Sequence, residues 1–280
     1  MKALLANPVL IKEIKLRFRN LKSFTGILFY LIAMSIFVFG FIFMTTTFSG
    51  SGFFRPDESF MLFTMMTYIQ LGLILFITPG LTAGAISTER EKQTLNILLT
   101  TAQTSFQIIF GKMSSSIAFL LLMIVAGLPI YSLVFLYGGV SPSQIVIIFL
   151  FYFLTLLTIG SIGIMFSTII RKTIVSMIAT YGTMIFLTAA TGFFLIISMQ
   201  ISQFGSTTPT FSPFTYFWAS INPAVVLFTL LQPSFAQEIQ NLTVVPLPLW
   251  LGYLVFYLVI TALALLLAVK RLRVNMSKYK

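Results

Sequence analysis

Residues 144–169 read QIVIIFLFYFLTLLTIGSIGIMFSTI, a largely apolar run without a charged side chain. This run belongs to an uncharged stretch that extends from residue 113 to residue 170. A helix needs about 20 apolar residues to cross the ~30 Å hydrocarbon core of a membrane. The stretch is long enough for two such helices, and Gly138, Gly139 and Pro142 indicate a turn between them. The sequence therefore predicts two consecutive membrane-spanning helices here.

The composition of the whole chain extends this prediction. Of its 280 residues, 58% are apolar and only 8% are charged, whereas soluble domains carry roughly a quarter charged residues. So few charges cannot cover a water-exposed surface, and no polar block is long enough to fold as a separate domain. We therefore expect an all-α integral membrane protein with a single transmembrane domain over residues 1–280.

Short charged clusters divide the remaining sequence into further apolar runs. Four of these runs are each long enough to form one helix that crosses a membrane. The predicted spans lie near residues 24–47, 61–84, 108–136, 144–169, 173–199 and 249–269. An even number of spans places both ends of the chain on the same side of the membrane.

The distribution of Lys and Arg predicts the orientation of the spans. If the N-terminus is inside, 16 of the 17 basic residues lie on the inner side, and only Arg55 lies outside. Basic residues prefer cytosolic loops, so we expect a multi-pass protein of the cell membrane with both termini cytosolic. The net charge of +11 is then a signal of topology, and it does not indicate nucleic acid as a partner.

Residues 8–22 have the pattern of an amphipathic helix. Apolar side chains recur at helical spacing beside a basic face formed by Lys12, Lys15, Arg19 and Lys22. Such a helix can lie in the membrane interface with its basic face towards anionic lipid headgroups. The alternative is that these residues only anchor the topology.

The fifth predicted span is rich in small residues, among which Thr188 and Gly192 have small-xxx-small spacing. Small residues let helix backbones approach closely in a membrane. They could form a contact between two copies of the chain or pack within one subunit. Gly160 and Gly163 in the fourth span permit the same two interpretations.

Residues 200–248 carry six prolines and many aromatic side chains. The prolines exclude one continuous spanning helix, and the apolar content is too high for a solvated loop. We expect short helices at the outer interface, some of which dip back towards the membrane.

The predicted spans contain no acidic or basic side chain in their hydrocarbon portions. Charged residues there mark proton relays and ion sites, so their absence argues against a proton-coupled pump. The sequence also has no phosphate-binding glycine loop, no nucleophile–base pair, no Cys and no His. We therefore expect no catalytic site, no metal and no cofactor in this chain, and any energy for transport must enter from outside the bilayer.

An inner loop over residues 88–99 is the best candidate for that entry. Thr88 and Glu91 have the spacing of a capping box, and leucines at 95, 98 and 99 form an apolar stripe. This pattern predicts a short cytosolic helix. The charges of Glu89, Arg90 and Lys92 would face a partner, and Leu95 and Leu98 would be its buried anchors. The alternative is an interfacial helix that only connects two spans.

The run from Glu89 to Leu99 resembles the signature of type-2 ABC transporter permeases. That signature has an acidic-basic-acidic cluster, then Gly-Thr-Leu-Glu, and here Gln93 stands in place of the usual Gly. Gly111-Lys112 and the run from Asn7 to Glu13 also fit the family pattern.

The resemblance implies an exporter complex of two permease subunits, identical or paralogous, and two ATP-binding subunits. ATP and magnesium would bind the partner and not this chain. The residues implied to contact the ATP-binding subunit are Thr88, Glu89, Arg90, Glu91, Lys92, Gln93, Thr94, Leu95 and Leu98. The alternatives are an ion-coupled secondary transporter and a membrane scaffold protein, and no feature of the sequence identifies the substrate.

Overall fold

A computed structural model describes residues 8–19, 21–48, 55–95, 103–137, 140–203 and 212–277. Within these ranges the regular elements are helices, and no β-strand occurs. The predicted all-α class is therefore confirmed.

The helices have the following bounds in chain order. They are α1 (Pro8–Phe18), α2 (Leu21–Phe48), α3 (Pro56–Thr82), α4 (Ser87–Glu91), α5 (Ser105–Tyr137), α6 (Pro142–Ile169), α7 (Thr173–Ile185), α8 (Thr191–Gln203), α9 (Pro213–Ile221), α10 (Pro223–Leu231), α11 (Pro233–Thr243) and α12 (Leu249–Ser277). A π-helical turn, Phe186–Ala190, joins α7 to α8.

Six largely helical stretches of the described chain are long and apolar enough to cross a membrane. They are Phe24–Thr47, Asp57–Glu91, Ser105–Val134, Pro142–Ile169, Thr173–Ile201 and Leu249–Leu272. Each overlaps the span that the sequence predicts at that place. The prediction of six helices of spanning length is confirmed.

The turn between α5 and α6 shows how local sequence starts a helix. The Gln144 N–H donates to Ser141 Oγ at 3.3 Å, and the Ser141 N–H donates to Gln144 Oε1 at 3.2 Å. This reciprocal capping box satisfies two N–H groups that the first helical turn leaves without partners. Pro142 occupies the first helical position, where its missing N–H has no cost.

Helix α6 lies at the centre of the bundle and packs against α3, α5, α7 and α12. Two glycines permit its close approach to α3. A Cβ atom on Gly163 would overlap Thr82 Oγ1, and one on Gly160 would lie 3.7 Å from Thr82 Cγ2. These two glycines therefore serve packing within one subunit, as the second interpretation of the sequence proposes.

Buried tyrosines fix the middle of α3. The Tyr131 hydroxyl of α5 donates to Met66 O at 3.2 Å, and the Tyr152 hydroxyl of α6 donates to Thr67 O at 2.7 Å. Both phenols are fully buried, so each hydrogen bond also removes the cost of an unpaired polar group. Helix α3 is consequently tied to two neighbours several turns away from its end.

The two ends of the bundle differ in character. We call one the basic end: it contains α1, α4, the start of α5 and the connection between α6 and α7. Ion pairs join α1, α4 and α5 there. We call the other the bent end, because α9 and α10 form a pair bent by 89° there. Each of α9, α10 and α11 begins with a proline, as expected if the prolines of 200–248 divide it into short helices.

Candidate functional site

The candidate site lies at the basic end, where the chain leaves α3. Residues 83–86 form turns and lead into the short helix α4. Helix α4 ends in a Schellman motif, in which the Thr94 N–H donates to Glu89 O at 2.9 Å and the Gln93 N–H to Arg90 O at 3.1 Å. Gln93 has φ of 58°, the left-handed conformation that this motif usually assigns to glycine.

The Schellman motif corrects the prediction of one helix across residues 88–99. The helix ends at Glu91 because the chain reverses at Gln93, and Leu95 is helical again; residues 96–99 lie outside the described residues. The predicted capping box is also wrong. The N-cap of α4 is Ile86, and Thr88 Oγ1 lies 3.3 Å from Thr173 Oγ1 instead.

Lys112 of α5 lies between two carboxylates at this end. Its Nζ donates to Glu89 Oε1 of α4 at 2.7 Å and to Glu13 Oε1 of α1 at 2.9 Å. The lysine side chain is only 7% exposed, and each glutamate is 26% exposed. The cluster therefore joins three elements that are remote from one another in the sequence.

The strength of this ion cluster lies between two limits. Breaking a fully buried pair costs about 3–5 kcal/mol, because the remaining charge stays buried without a partner. A pair on an open surface contributes about 0–1 kcal/mol. The buried cation and the partly exposed carboxylates place the cluster between these values.

Arg17 adds a second cation beside the cluster. Its Nη2 donates to Ser116 Oγ at 3.3 Å, and its Cζ lies 5.8 Å from the centre of the Phe119 ring. Burial lowers the pKa of the Arg17 guanidinium, and the carboxylate of Glu13 partly offsets this effect. Since both partners belong to α5, Arg17 and Glu13 hold the same face of α1 against that helix.

Arg90 ties α4 to the end of α6. Its Nη2 donates to Thr168 O at 2.9 Å, and its Nη1 donates to Ile170 O at 3.3 Å. Carbonyls at a helix C-terminus have no partners within the helix and carry partial negative charge. The Arg90 guanidinium donates hydrogen bonds to these carbonyls, and its positive charge stabilises their partial negative charge.

Glu91 ties α4 to the start of α7. Its Oε1 accepts the Thr173 N–H at 2.8 Å, and its Oε2 accepts the Thr173 hydroxyl at 2.8 Å. A carboxylate at a helix N-terminus pairs with a free N–H group and with the positive end of the helix dipole. Arg90 and Glu91 thus bind the two helix ends whose charges are opposite to their own.

Ser167 of α6 completes the attachment of this loop. Its Oγ accepts the N–H groups of Ile86 at 2.8 Å and of Ser87 at 2.9 Å. Both residues are fully buried, so these N–H groups have no access to water. Together the contacts fasten the loop after α3 to α1, α5, α6 and α7.

These contacts change the roles expected for three of the predicted residues. Glu89 and Arg90 turn towards the subunit, whereas the sequence predicts that they face a partner. Leu95 is 5% exposed and packs in a core cluster with Val9, Ile108 and Leu272. It is therefore an anchor inside this chain, and Leu98 lies outside the described residues.

Four of the predicted contact residues remain at the surface. They are Glu91, Lys92, Gln93 and Thr94, which are all exposed and which we call the tip. Thr88 is half-buried and lies behind the tip, against Thr173.

Helix α1 is shorter than predicted, since it ends at Phe18 and Lys22 belongs to α2. Lys12, Lys15 and Arg19 are exposed, and their contact with lipid headgroups stays a prediction. Ile11 is exposed too. The covered face is built from Val9, Glu13 and Arg17 because their partners lie on α5 and nearby helices.

Thr188 and Gly192 both contact Asn222 of the same chain. Thr188 O accepts a hydrogen bond from Asn222 Nδ2 at 2.7 Å. A Cβ atom on Gly192 would lie 3.2 Å from that nitrogen. This arrangement agrees with the interpretation of these residues as packing within one subunit.

Two residues that join remote elements are only partly predictable from the sequence. Lys112 belongs to the Gly111-Lys112 motif, and it is the lone charge between the uncharged stretches 93–111 and 113–170. That isolation is a signal of a paired, buried cation. Asn222 carries no such signal, because its role depends on a π-helical turn about 30 residues earlier.

Comparison with known proteins identifies the family of the chain. The sequence matches the family described as "ABC-2 family transporter protein" over residues 8–271. We found no significant match among curated proteins. The matched region extends from α1 into α12 and includes the tip and the pair of bent helices. The chain therefore belongs to the ABC-2 family of transporter membrane proteins.

Proposed function

We propose that this chain is the permease subunit of an ATP-driven exporter. In this proposal the basic end lies in the cytosol, as the distribution of basic residues favours. The tip docks on a separate ATP-binding subunit, which carries ATP and magnesium. Two permease subunits and two ATP-binding subunits form the complex in the cell membrane.

The observation that carries the proposal is the attachment of the loop after α3. A coupling element must be exposed where it meets its partner and rigid where it meets its own subunit. The tip is exposed, while Glu89, Arg90 and Glu91 join the loop to α1, α5, α6 and α7. A displacement of the tip therefore moves several helices at once, as energy coupling requires. A simple connector has no need of these contacts.

The test is a charge reversal in the tip. The tagged chain is purified in mild detergent from cells that contain its native partners, and the ATP-binding protein in the eluate is quantified. Lys92→Glu should reduce its yield about fivefold or more, which corresponds to about 1 kcal/mol of interface free energy. Glu238→Lys is the matched control, because Glu238 is exposed on α11 at the bent end.

Both variants must first elute as folded protein in size-exclusion chromatography. Equal yields of the ATP-binding protein with Lys92→Glu and Glu238→Lys would overturn the proposed role of the tip. Absence of any ATP-binding protein, even with the unaltered chain, would favour an ion-coupled transporter or a scaffold.

A further inference from the structure

The connection between α7 and α8 is π-helical, and its hydrogen bonds differ from those of an α-helix. The Thr191 N–H is shared between Phe186 O, five residues back, and Thr188 O, three residues back. In an α-helix this N–H would bind Leu187 O. The π form therefore withholds this N–H from Leu187 O and shares it with Thr188 O, so both carbonyls can accept further donors.

Side chains supply those donors. Leu187 O accepts the Thr191 hydroxyl at 2.8 Å. Thr188 O accepts Asn222 Nδ2 at 2.7 Å, and the same nitrogen donates to Thr191 Oγ1 at 2.9 Å. Leu187 O and Thr188 O thus both accept side-chain hydrogen bonds, and Asn222 donates both to Thr188 O and to the Thr191 hydroxyl that binds Leu187 O.

The side-chain oxygen of Asn222 stabilises the bend between α9 and α10. Its Oδ1 accepts the N–H groups of Ala224 at 2.9 Å and Val225 at 3.2 Å and caps α10. Asn222 is 2% exposed, and these contacts use both its donors and its acceptor. A buried amide satisfied on both sides fixes the two elements relative to each other.

We propose that Asn222 is a positioning residue that holds the π turn in place and so sets the rotation of α8 about its axis. Without its donors, the turn relaxes to the α form, which has one residue fewer per hydrogen-bonded ring. Helix α8 then rotates by about 100° relative to α7. Leu195, which packs in a cluster with Ala219, Ile239 and Leu249, leaves its site.

Glycine at position 192 agrees with this role. The Asn222 amide lies where a larger side chain would press on it, so the close approach depends on the missing Cβ atom. The bend is also held from α12, because the Tyr257 hydroxyl donates to Ile221 O at 3.2 Å. The bend therefore stays in place when its link to α8 is cut, and α8 is the element that turns.

The test measures the rotation of α8 directly. The chain has no Cys, so spin labels can be attached at Ile196→Cys on α8 and Val146→Cys on α6, which are both exposed. With a helix radius of about 5–6 Å, a rotation of 100° moves a side chain on α8 by roughly 8 Å. Asn222→Asp keeps the cap of α10 but removes both donors, and it should shift the distance between the labels by several ångström.

Asn241→Asp is the matched control, because Asn241 is exposed on α11, and its distance distribution should equal that of the unaltered chain. Thr191→Val removes the other member of the network and should populate the shifted distance in part. An unchanged distribution in folded Asn222→Asp would overturn the proposal. If Asn222→Asp does not fold, an unchanged distribution in Thr191→Val would overturn it equally.

Discussion

At the scale of single residues, the basic end combines exposed cations with charges that bind groups of their own subunit. Lys112 is surrounded by Glu13 and Glu89, while Arg90 and Glu91 bind the ends of neighbouring helices. Buried charges require such partners, because an unpaired charge in a medium of low polarity is very costly. The charged motif of the sequence is thus the means by which α4 is attached to its subunit.

Lys112→Met should lower the stability of the chain by about 3 kcal/mol, because it leaves two neighbouring carboxylates without a cation. Thermal unfolding of the purified chain in detergent measures the effect. Lys92→Met, in the exposed tip, should change the unfolding temperature little. The triple variant Glu13→Gln, Glu89→Gln and Lys112→Met should recover part of the loss. A triple variant as unstable as Lys112→Met would contradict the assignment of the cluster.

Gln93→Gly should stabilise the chain by about 0.5–1 kcal/mol. A side chain in the left-handed region costs about 1–2 kcal/mol, and the greater freedom of glycine in the unfolded chain offsets part of the gain. Gln93 is exposed, so no packing is lost. Gln93→Ala retains the left-handed cost and serves as the control. If glycine raises the unfolding temperature no more than alanine does, the Schellman motif is wrongly assigned.

At the scale of elements, the crossing of α3 and α6 positions the site, since the tip follows directly from α3. Gly163 permits this crossing because Thr82 occupies the space of a side chain. Thr82 has little freedom to move, since its hydroxyl donates to Thr78 O at 2.8 Å. The geometry of the basic end thus depends on the absence of a Cβ atom at Gly163.

Gly163→Ala should therefore destabilise the chain by about 1–3 kcal/mol through overpacking. Gly182→Ala is the matched control, since a Cβ atom there would have no neighbour within 4 Å. That variant should be neutral or slightly stabilising, because alanine has the higher helix propensity. The measurement is the unfolding temperature of both variants. Equal values would refute the close contact between Gly163 of α6 and Thr82 of α3.

The elements also show what the sequence can and cannot predict. The spans are predictable because uncharged runs of about 20 residues have few alternatives in a membrane protein. The end of α4 before Gln93 is not predictable, because glutamine seldom adopts positive φ and nothing in the neighbouring sequence requires that conformation. The inward roles of Glu89 and Leu95 depend on Glu13, Lys112 and Leu272, which only the folded bundle brings near.

At the scale of the whole molecule, α3 connects the two ends. Its Tyr68 hydroxyl donates to Ala224 O of α10 at 2.9 Å, beside the bend. The C-terminal end of α3 leads into α4 and the tip. The same helix therefore contacts the proposed docking site and the bent pair.

The orientation of the bundle is open to direct labelling. In intact cells an impermeant thiol reagent should react with Glu238→Cys at the bent end and leave Lys172→Cys at the basic end unlabelled. Both residues are exposed, and the chain has no other Cys. Labelling of both cysteines after the cells are permeabilised is the control. Strong labelling of Lys172→Cys in intact cells would refute the orientation.

The central claim is that this subunit works with a separate ATP-binding protein. The most direct measurement is to cross-link the tagged chain in native membranes, purify it in mild detergent, and assay the bound proteins and ATP hydrolysis. An ATP-binding subunit should be present in equimolar amount, with ATPase activity that the chain alone does not have. A folded, cross-linked preparation with neither an ATP-binding protein nor ATPase activity would contradict it.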